Sequence, residues 1–185
     1  KEGAFLQIYE QLGVDISHFK PTGKTSLQSF WPFFNQGQTV MLVHNTFVSQ
    51  ADIDFIKKVY PVNDQRSTIN VQPVICLCPN ANLYIENRLP PVDLLRSNNM
   101  LMVLGTDSYA SNWQLSILEE MKTLQRTLDL PLAELLKWGT LNGAIALRKT
   151  RQLGSFDTGK TPGVVLIDKV QEMRFGGDAK ARRLL

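Results

Sequence analysis

Asp107 closes the segment Leu101–Asp107, LMVLGTD, in which four apolar residues run into Gly105-Thr106. Such a run is the pattern of a strand buried on both faces of a parallel sheet. A carboxylate at the carboxyl end of that strand sits where α/β barrels place their chemistry. Taken alone, Asp107 reads equally as the aspartate of a loop that precedes a helix. A second segment, Thr39–Val43 (TVMLV), runs into His44-Asn45 in the same manner. Alone, His44 reads as a neutral, hydrogen-bonded histidine at a strand end. The remaining histidine, His18, falls in HFKPTGKT, a stretch of turn formers, and reads as a loop residue. Gly23-Lys24-Thr25 looks like the end of a phosphate-binding loop, but the first glycine of G-x-x-x-x-G-K-[ST] would stand at position 18, which is His18. Cys76 and Cys78 lie two apart in an apolar run with no second pair, so neither a bridge nor a zinc finger is expected. They read as reduced core thiols, which suits a cytoplasmic protein.

The elements that would carry these residues alternate. Glu2–Leu12 reads as an amphipathic helix stopped by Gly13, with Phe5, Ile8, Tyr9 and Leu12 on one face. Ser26 is expected to cap a helix reaching Phe34, with Phe30, Trp31 and Phe34 packing inward. Thr39–Val43 is a first buried strand, followed by a helix over Gln50–Val59 capped by Ser49. Val74–Leu77 is a second buried strand, closed by the turn-like Cys78-Pro79-Asn80-Ala81-Asn82-Leu83. Pro90 or Pro91 opens a helix reaching Ser97, and Leu101–Leu104 is the third strand. Ser111 or Asn112 is expected to cap a helix from about Gln114 to Arg126. Trp113 at its start serves packing or a pocket wall equally well. PLAELLKWGTLNGAIAL reads as two helical pieces broken near Gly139 or Thr140. Asp157–Lys160 reads as a tight turn, Gly163–Asp168 as a strand, and the closing KARRLL as a charged, fraying tail. Strand and helix thus alternate three times, which predicts consecutive parallel βα units with right-handed crossovers.

Composition narrows the function classes. The chain has 185 residues, 43% of them hydrophobic, which is ample for a packed core. A net charge of +3, dispersed except at the end, favours neither nucleic acid nor an anionic membrane as partner. No apolar run approaches the roughly 18 residues a membrane helix needs. The chain opens at Lys1, not Met, in KEGAFLQIYEQLG, which reads as the middle of a helix and suggests a fragment.

LGTDSYASN resembles the L-G-T-D-x-x-x-S-N of the last barrel strand in the amidohydrolase superfamily, in its branch of cytosine-, guanine- and adenosine-type deaminases and chlorohydrolases. TVMLVHN resembles the sixth strand of that barrel, CLCPNANLYI the seventh-strand turn H-x-P-x-S-N-x-x-L, and GSFDTGKTPGVVLID the return to a small β-sandwich, G-x-I-x-x-G-K-x-A-D-L-V-V-I-D. The four motifs stand in order between residues 36 and 168. The chain departs from them at Leu77, where many relatives have histidine, at Ala81 for serine, and at Gly163 for aspartate.

The resemblance implies an α/β fold: the carboxyl-terminal portion of a (β/α)8 TIM barrel, strands six to eight with their helices. Residues 1–150 would form the partial barrel and residues 151–185 the return strand and tail of the composite β-sandwich. It implies a metal-dependent hydrolase acting on C–N bonds other than peptide bonds, a deaminase of a nucleobase-like or amidine ring. Asp107 would ligate a divalent metal, zinc above all, and accept a proton from the attacking water. His44 would orient that water or contact the substrate, and Asn82 and Tyr109 would line the pocket of a small-molecule substrate. With two histidines and no H-x-H pair, the chain lacks the remaining ligands a zinc site needs. The expectation is therefore an inactive carboxyl-terminal part of a larger enzyme, whose open sheet edges would self-associate or pair with the missing amino-terminal part. The alternatives are a non-catalytic relative that keeps the barrel for assembly, and a flavodoxin-like βα binding domain.

Overall fold

The computed structural model describes residues 4–35, 38–59 and 73–185. It divides into two compact units, Lys1–Gln36 and Gly37–Leu185. In the first, helix α1 (Ala4–Gln11) ends at Gly13, whose φ of 64° lets the Val14 amide reach back to the Tyr9 carbonyl at 2.8 Å. Helix α2 (Ser26–Phe30) is capped by Thr25 rather than Ser26, the Thr25 hydroxyl accepting from the Gln28 amide. The expected continuation to Phe34 tightens into a 3-10 turn, Trp31–Phe33, because Pro32 removes an amide the α-helix would need. Trp31 is buried, with Phe34 edge-on at 5.7 Å between ring centroids, while Phe30 and Phe34 are themselves exposed. The expected inward packing of all three rings is corrected to Trp31 alone. The Phe5 side chain lies outside the described residues.

The second unit is built on a parallel sheet of order β1-β2-β3, with β1 (Met41–Val43), β2 (Val74–Leu77) and β3 (Leu101–Leu104). Its register pairs Val43 with Cys76 and Cys76 with Val103. β2 is buried throughout, as a central parallel strand must be. β1 was expected to be buried as well, but Met41 and Val43 are 41% and 48% exposed. It is an edge strand: among the described residues only β2 pairs with it.

Helix α3 (Gln50–Val59) begins in a reciprocal cap, the Ser49 amide and hydroxyl both donating to Asp52 Oδ2 at 3.0 and 2.7 Å. Its Ile53 and Ile56 are buried. The turn after β2 is in fact helix α4 (Pro79–Glu86), closed by Asn87 in the left-handed region. Pro79 at the first helical position, where a missing amide costs nothing, makes this sequence read as a loop when it starts a helix. Helix α5 (Val92–Ser97) precedes β3, and helix α6 (Ile117–Leu128) follows it. The α6 cap is Ser116, not Ser111 or Asn112; those two side chains are engaged elsewhere, as described below. Helices α7 (Leu132–Gly139) and α8 (Leu141–Ala146) break at Thr140, within the expected interval.

Beyond residue 150 the chain turns at Asp157–Lys160, Gly159 taking a φ of 88°. Strand β4 (Val165–Ile167) pairs antiparallel with β7 (Ala181–Arg183), and β5 (Val170–Gln171) with β6 (Arg174–Phe175). The tail expected to fray is therefore a strand, because the β4 edge supplies its hydrogen-bond partners. This section is fastened to α6: Lys122, buried, pairs with Glu119 at 2.6 Å and donates to the Ala179 carbonyl, and Phe175 N donates to Gln125 Oε1 at 2.8 Å.

Candidate active site

The carboxyl ends of β1 and β3 flank that of β2, and each leaves its strand through a left-handed residue. His44 has φ 68°, Asn45 55° and Asp107 58°. Among non-glycine residues, Asn, Asp and His enter this region most readily. Departing from strand geometry there breaks the alternation of side chains and turns both groups toward the shared strand ends. His44 Nε2 stands 3.8 Å from Asp107 Oδ2, with the two side chains 37% and 32% exposed. The two residues assigned to chemistry are thus brought together, and both remain accessible.

Asp107 is held from its own loop. Ser111 Oγ donates to Asp107 Oδ2 at 2.5 Å, and Oδ1 has no hydrogen-bond partner among the described residues. Asn112 uses its amide twice, donating to the Thr106 carbonyl at 2.8 Å and to Glu120 Oε1 at 2.7 Å. This is why the Ser-Asn pair does not cap α6.

The other two expected site residues lie differently. Asn82 is buried in α4, where its Nδ2 donates to Thr46 Oγ1 at 2.7 Å, two residues beyond His44, and its Oδ1 has no partner among the described residues. Tyr109 is exposed in the loop after Asp107. His18 is exposed in the first unit.

Glu120 was not anticipated from the sequence. It is fully buried in α6, accepting from the Asn80 amide at 2.8 Å, the Asn80 side chain at 2.9 Å and Asn112. Burial pushes its carboxyl up from the ordinary glutamate value, against the pull of these donors. A signal was present: Ile117, Glu120 and Leu124 share one helix face, so a carboxylate interrupts an apolar stripe.

Cys76 and Cys78 are buried free thiols. Their mutual hydrogen bond lowers Cys76 and raises Cys78, which burial raises further. Gly105 lies against them: a Cβ there would stand 2.8 Å from Cys76 Sγ and 3.4 Å from Cys78 Sγ.

A divalent cation can draw on Asp107 here, with its free Oδ1, but on little else. Among the described residues no group of three or more His, Cys, Asp or Glu is gathered for a metal. The donor set fits one contribution to such a centre, not a whole one. Among the described residues, no helix is long and apolar enough to cross a membrane.

Comparison with known proteins gives this geometry a context. The chain is 32% identical over 133 residues to a 5-methylthioadenosine/S-adenosylhomocysteine deaminase of Thermoanaerobacter pseudethanolicus, covering 68% of this chain and 28% of that protein. It is 28% identical over 140 residues to a 5'-deoxyadenosine deaminase of Methanobrevibacter smithii, covering 71% and 29%. The chain therefore spans less than a third of either relative. Among solved structures it superposes on an adenosine deaminase from Xanthomonas campestris with bound zinc, with a TM-score of 0.56, 26% identity, and coverage of 70% of this chain and 28% of that one. It shares the fold of Helicobacter pylori aminofutalosine deaminase, with a TM-score of 0.65, 22% identity, and coverage of 88% and 37%. These neighbours imply a TIM-barrel-type α/β fold, and they replace the flavodoxin-like alternative. The profile of the Amidohydrolase family matches residues 25–183, a span that takes in His44, Asp107 and the whole parallel sheet: the chain belongs to the amidohydrolase family.

Proposed function

We propose that the chain is the carboxyl-terminal part, strands six to eight with their helices and the 151–185 return to a small β-sandwich, of a metal-dependent hydrolase that deaminates an adenosine-like nucleoside. The observation that carries this reading is the approach of His44 to Asp107 at 3.8 Å, across the strand ends of a parallel sheet, in a chain of this family. The deaminase names of its relatives supply the substrate class.

A divalent cation held in part by Asp107, zinc being the metal found in a related structure, would supply Lewis acidity that brings the pKa of a bound water toward neutrality. Asp107 Oδ2 is fixed by Ser111, which leaves Oδ1 open. As the water adds to the ring carbon that carries the amino group, Asp107 accepts its proton. His44, within reach of the same space, hydrogen-bonds the attacking oxygen and sets its approach. The proton taken by Asp107 passes to the departing amino group, the C–N bond breaks and ammonia leaves; the ring carbon keeps the oxygen as a carbonyl, and the second proton of the water ends on the adjacent ring nitrogen. Asn82, bonded to Thr46, steadies the loop that begins at His44 from below the substrate, and Tyr109 covers the mouth.

The test is ammonia release from adenosine-type nucleosides by the full-length protein and its Asp107→Asn and Asp107→Ala variants, with metal content measured on each. Both substitutions are expected to cost on the order of a thousand-fold in turnover, within the range for a positioned acid or base, and Asp107→Ala to lower metal retention. Full activity in either variant refutes the assignment. A wild-type protein that binds no metal and releases no ammonia would be the non-catalytic relative that uses its barrel for assembly.

A further inference from the structure

Three turns carry the residues of the site: His44 and Asp107 approach each other across the first and third, and Asn82 of the second reaches Thr46 of the first. The second and third also meet at one buried carboxylate on α6. Glu120 Oε2 accepts the backbone amide of Asn80, in the first turn of α4, at 2.8 Å. Its Oε1 accepts both the Asn80 side-chain amide at 2.9 Å and the Asn112 amide at 2.7 Å. Thr123, three residues further along α6, donates to Asn80 Oδ1 at 2.7 Å and completes that side chain's bonding.

Each arm leads on to the site. Asn112 spends its second N–H on the Thr106 carbonyl, one residue before Asp107, and its neighbour Ser111 holds the Asp107 carboxylate. Two residues after Asn80, Asn82 donates to Thr46, which fixes the loop that begins at His44. A chain of hydrogen bonds thus runs from Glu120 to the turns after β1, β2 and β3. Every link from Glu120 outward as far as Asn82 and Thr46 is buried, where water cannot replace a lost partner.

We infer that Glu120 is a positioning residue that locks the three strand-end turns in one register, and so sets the distance between His44 and Asp107. The inference rests on the deaminase reading for its catalytic consequence, but not for its structural one. Glutamine has the shape of glutamate but carries an NH2 in place of one oxygen. If its oxygen serves the two side-chain amides, its NH2 faces the Asn80 amide, donor against donor.

Two readouts test this in the full-length protein. The first is backbone amide exchange. Glu120→Gln is expected to speed exchange about tenfold or more in residues 79–83 and 105–113, leaving α7 unchanged. Unchanged exchange in those two turns overturns the inference. The second is a double-mutant cycle on ammonia release. Glu120→Gln is expected to lower kcat at least tenfold with KM within about twofold, and Glu120→Gln with Asn112→Ala to be little worse than the more damaging single variant. A KM effect without a kcat effect, or losses that multiply, overturns it. A wild-type protein without deaminase activity, but whose turns loosen in the variant, would sink the deaminase reading and leave the lock standing. If Glu120→Gln does not fold, Thr123→Val removes one donor to Asn80 at constant shape. It is expected to loosen residues 79–83 alone, and unchanged exchange there overturns the inference equally.

Discussion

Gly105 offers a sharp test of how the strand ends are packed. Its φ is not in the left-handed region, so its lack of a side chain answers to space, not to backbone conformation. An alanine Cβ would lie 2.8 Å from Cys76 Sγ. Nonbonded carbon contacts are most favourable at about 3.5–4.0 Å, so this one is short by roughly 0.7 Å or more. The obstacle is a stub of one torsion in a fully buried strand, with Cys78 Sγ beside it at 3.4 Å, and it has little freedom to withdraw. Overpacking of this kind costs about 1–3 kcal/mol, or roughly 2–12 °C in melting temperature for a chain of this size. Gly105→Ala is therefore expected to lower the urea-unfolding free energy by that amount. Cys76→Ala removes the obstructing sulfur. It costs something by itself, but the double variant Gly105→Ala/Cys76→Ala should be no less stable than Cys76→Ala alone. A cycle on unfolding free energies measures this coupling directly. A neutral Gly105→Ala, or a double variant that loses the sum of both effects, refutes the steric account.

Three further outcomes are expected. If the proposed deamination holds, Ser111→Ala, which removes the hydroxyl that fixes Asp107 Oδ2, should lower kcat of the full-length protein about tenfold, which corresponds to about 1.4 kcal/mol; an unaltered kcat would show that Asp107 needs no such support. Cys76 and Cys78 are both buried, so an aromatic disulfide reagent should find no reactive thiol in the folded chain and two after denaturation; rapid reaction before unfolding would contradict the packing. Burial raises the Glu120 carboxyl above its ordinary value of 4.5, so the folded chain binds that proton more tightly than the unfolded chain does. Its contribution to stability is full below that ordinary value and is lost as pH rises through the elevated one. The stability of the wild type minus that of Glu120→Gln should therefore shrink from acid pH toward neutrality, and a difference that grows with pH would contradict the direction of the shift.

The parallel sheet was legible because its strands are continuous apolar runs. Val74–Leu77 and Leu101–Leu104 fall where the sequence places them, as does the helix Gln50–Val59 with its Ser49 cap. Periodicity could not show that β1 lies at an edge, since burial depends on neighbours and not on the strand's own residues. Helix α4 was obscured by Pro79 and three asparagine or alanine positions that also suit a turn, and the buried partners of Asn80 and Asn82, Glu120 and Thr46, lie far away in sequence. The α6 start was misplaced because Ser111 and Asn112 have good capping side chains that the site uses for other bonds. His44 and Asp107 stood out by following apolar runs. Glu120 did not, because its partners lie 40 and 8 residues away in sequence and no local pattern encodes them.

The left-handed turn at Asp107 limits what this position can become. A residue there must tolerate a φ of 58°, which short polar side chains do and which burdens most other L residues by about 1–2 kcal/mol. Asparagine can enter without disturbing the loop, and so the charge at this point can be removed by a single substitution. Glutamate keeps the charge but adds a methylene and gives up the local bonding that makes the conformation tolerable. The backbone therefore permits variation in the charge at the candidate site while fixing the length of the arm presented there. A longer arm at this place would have to come from another strand.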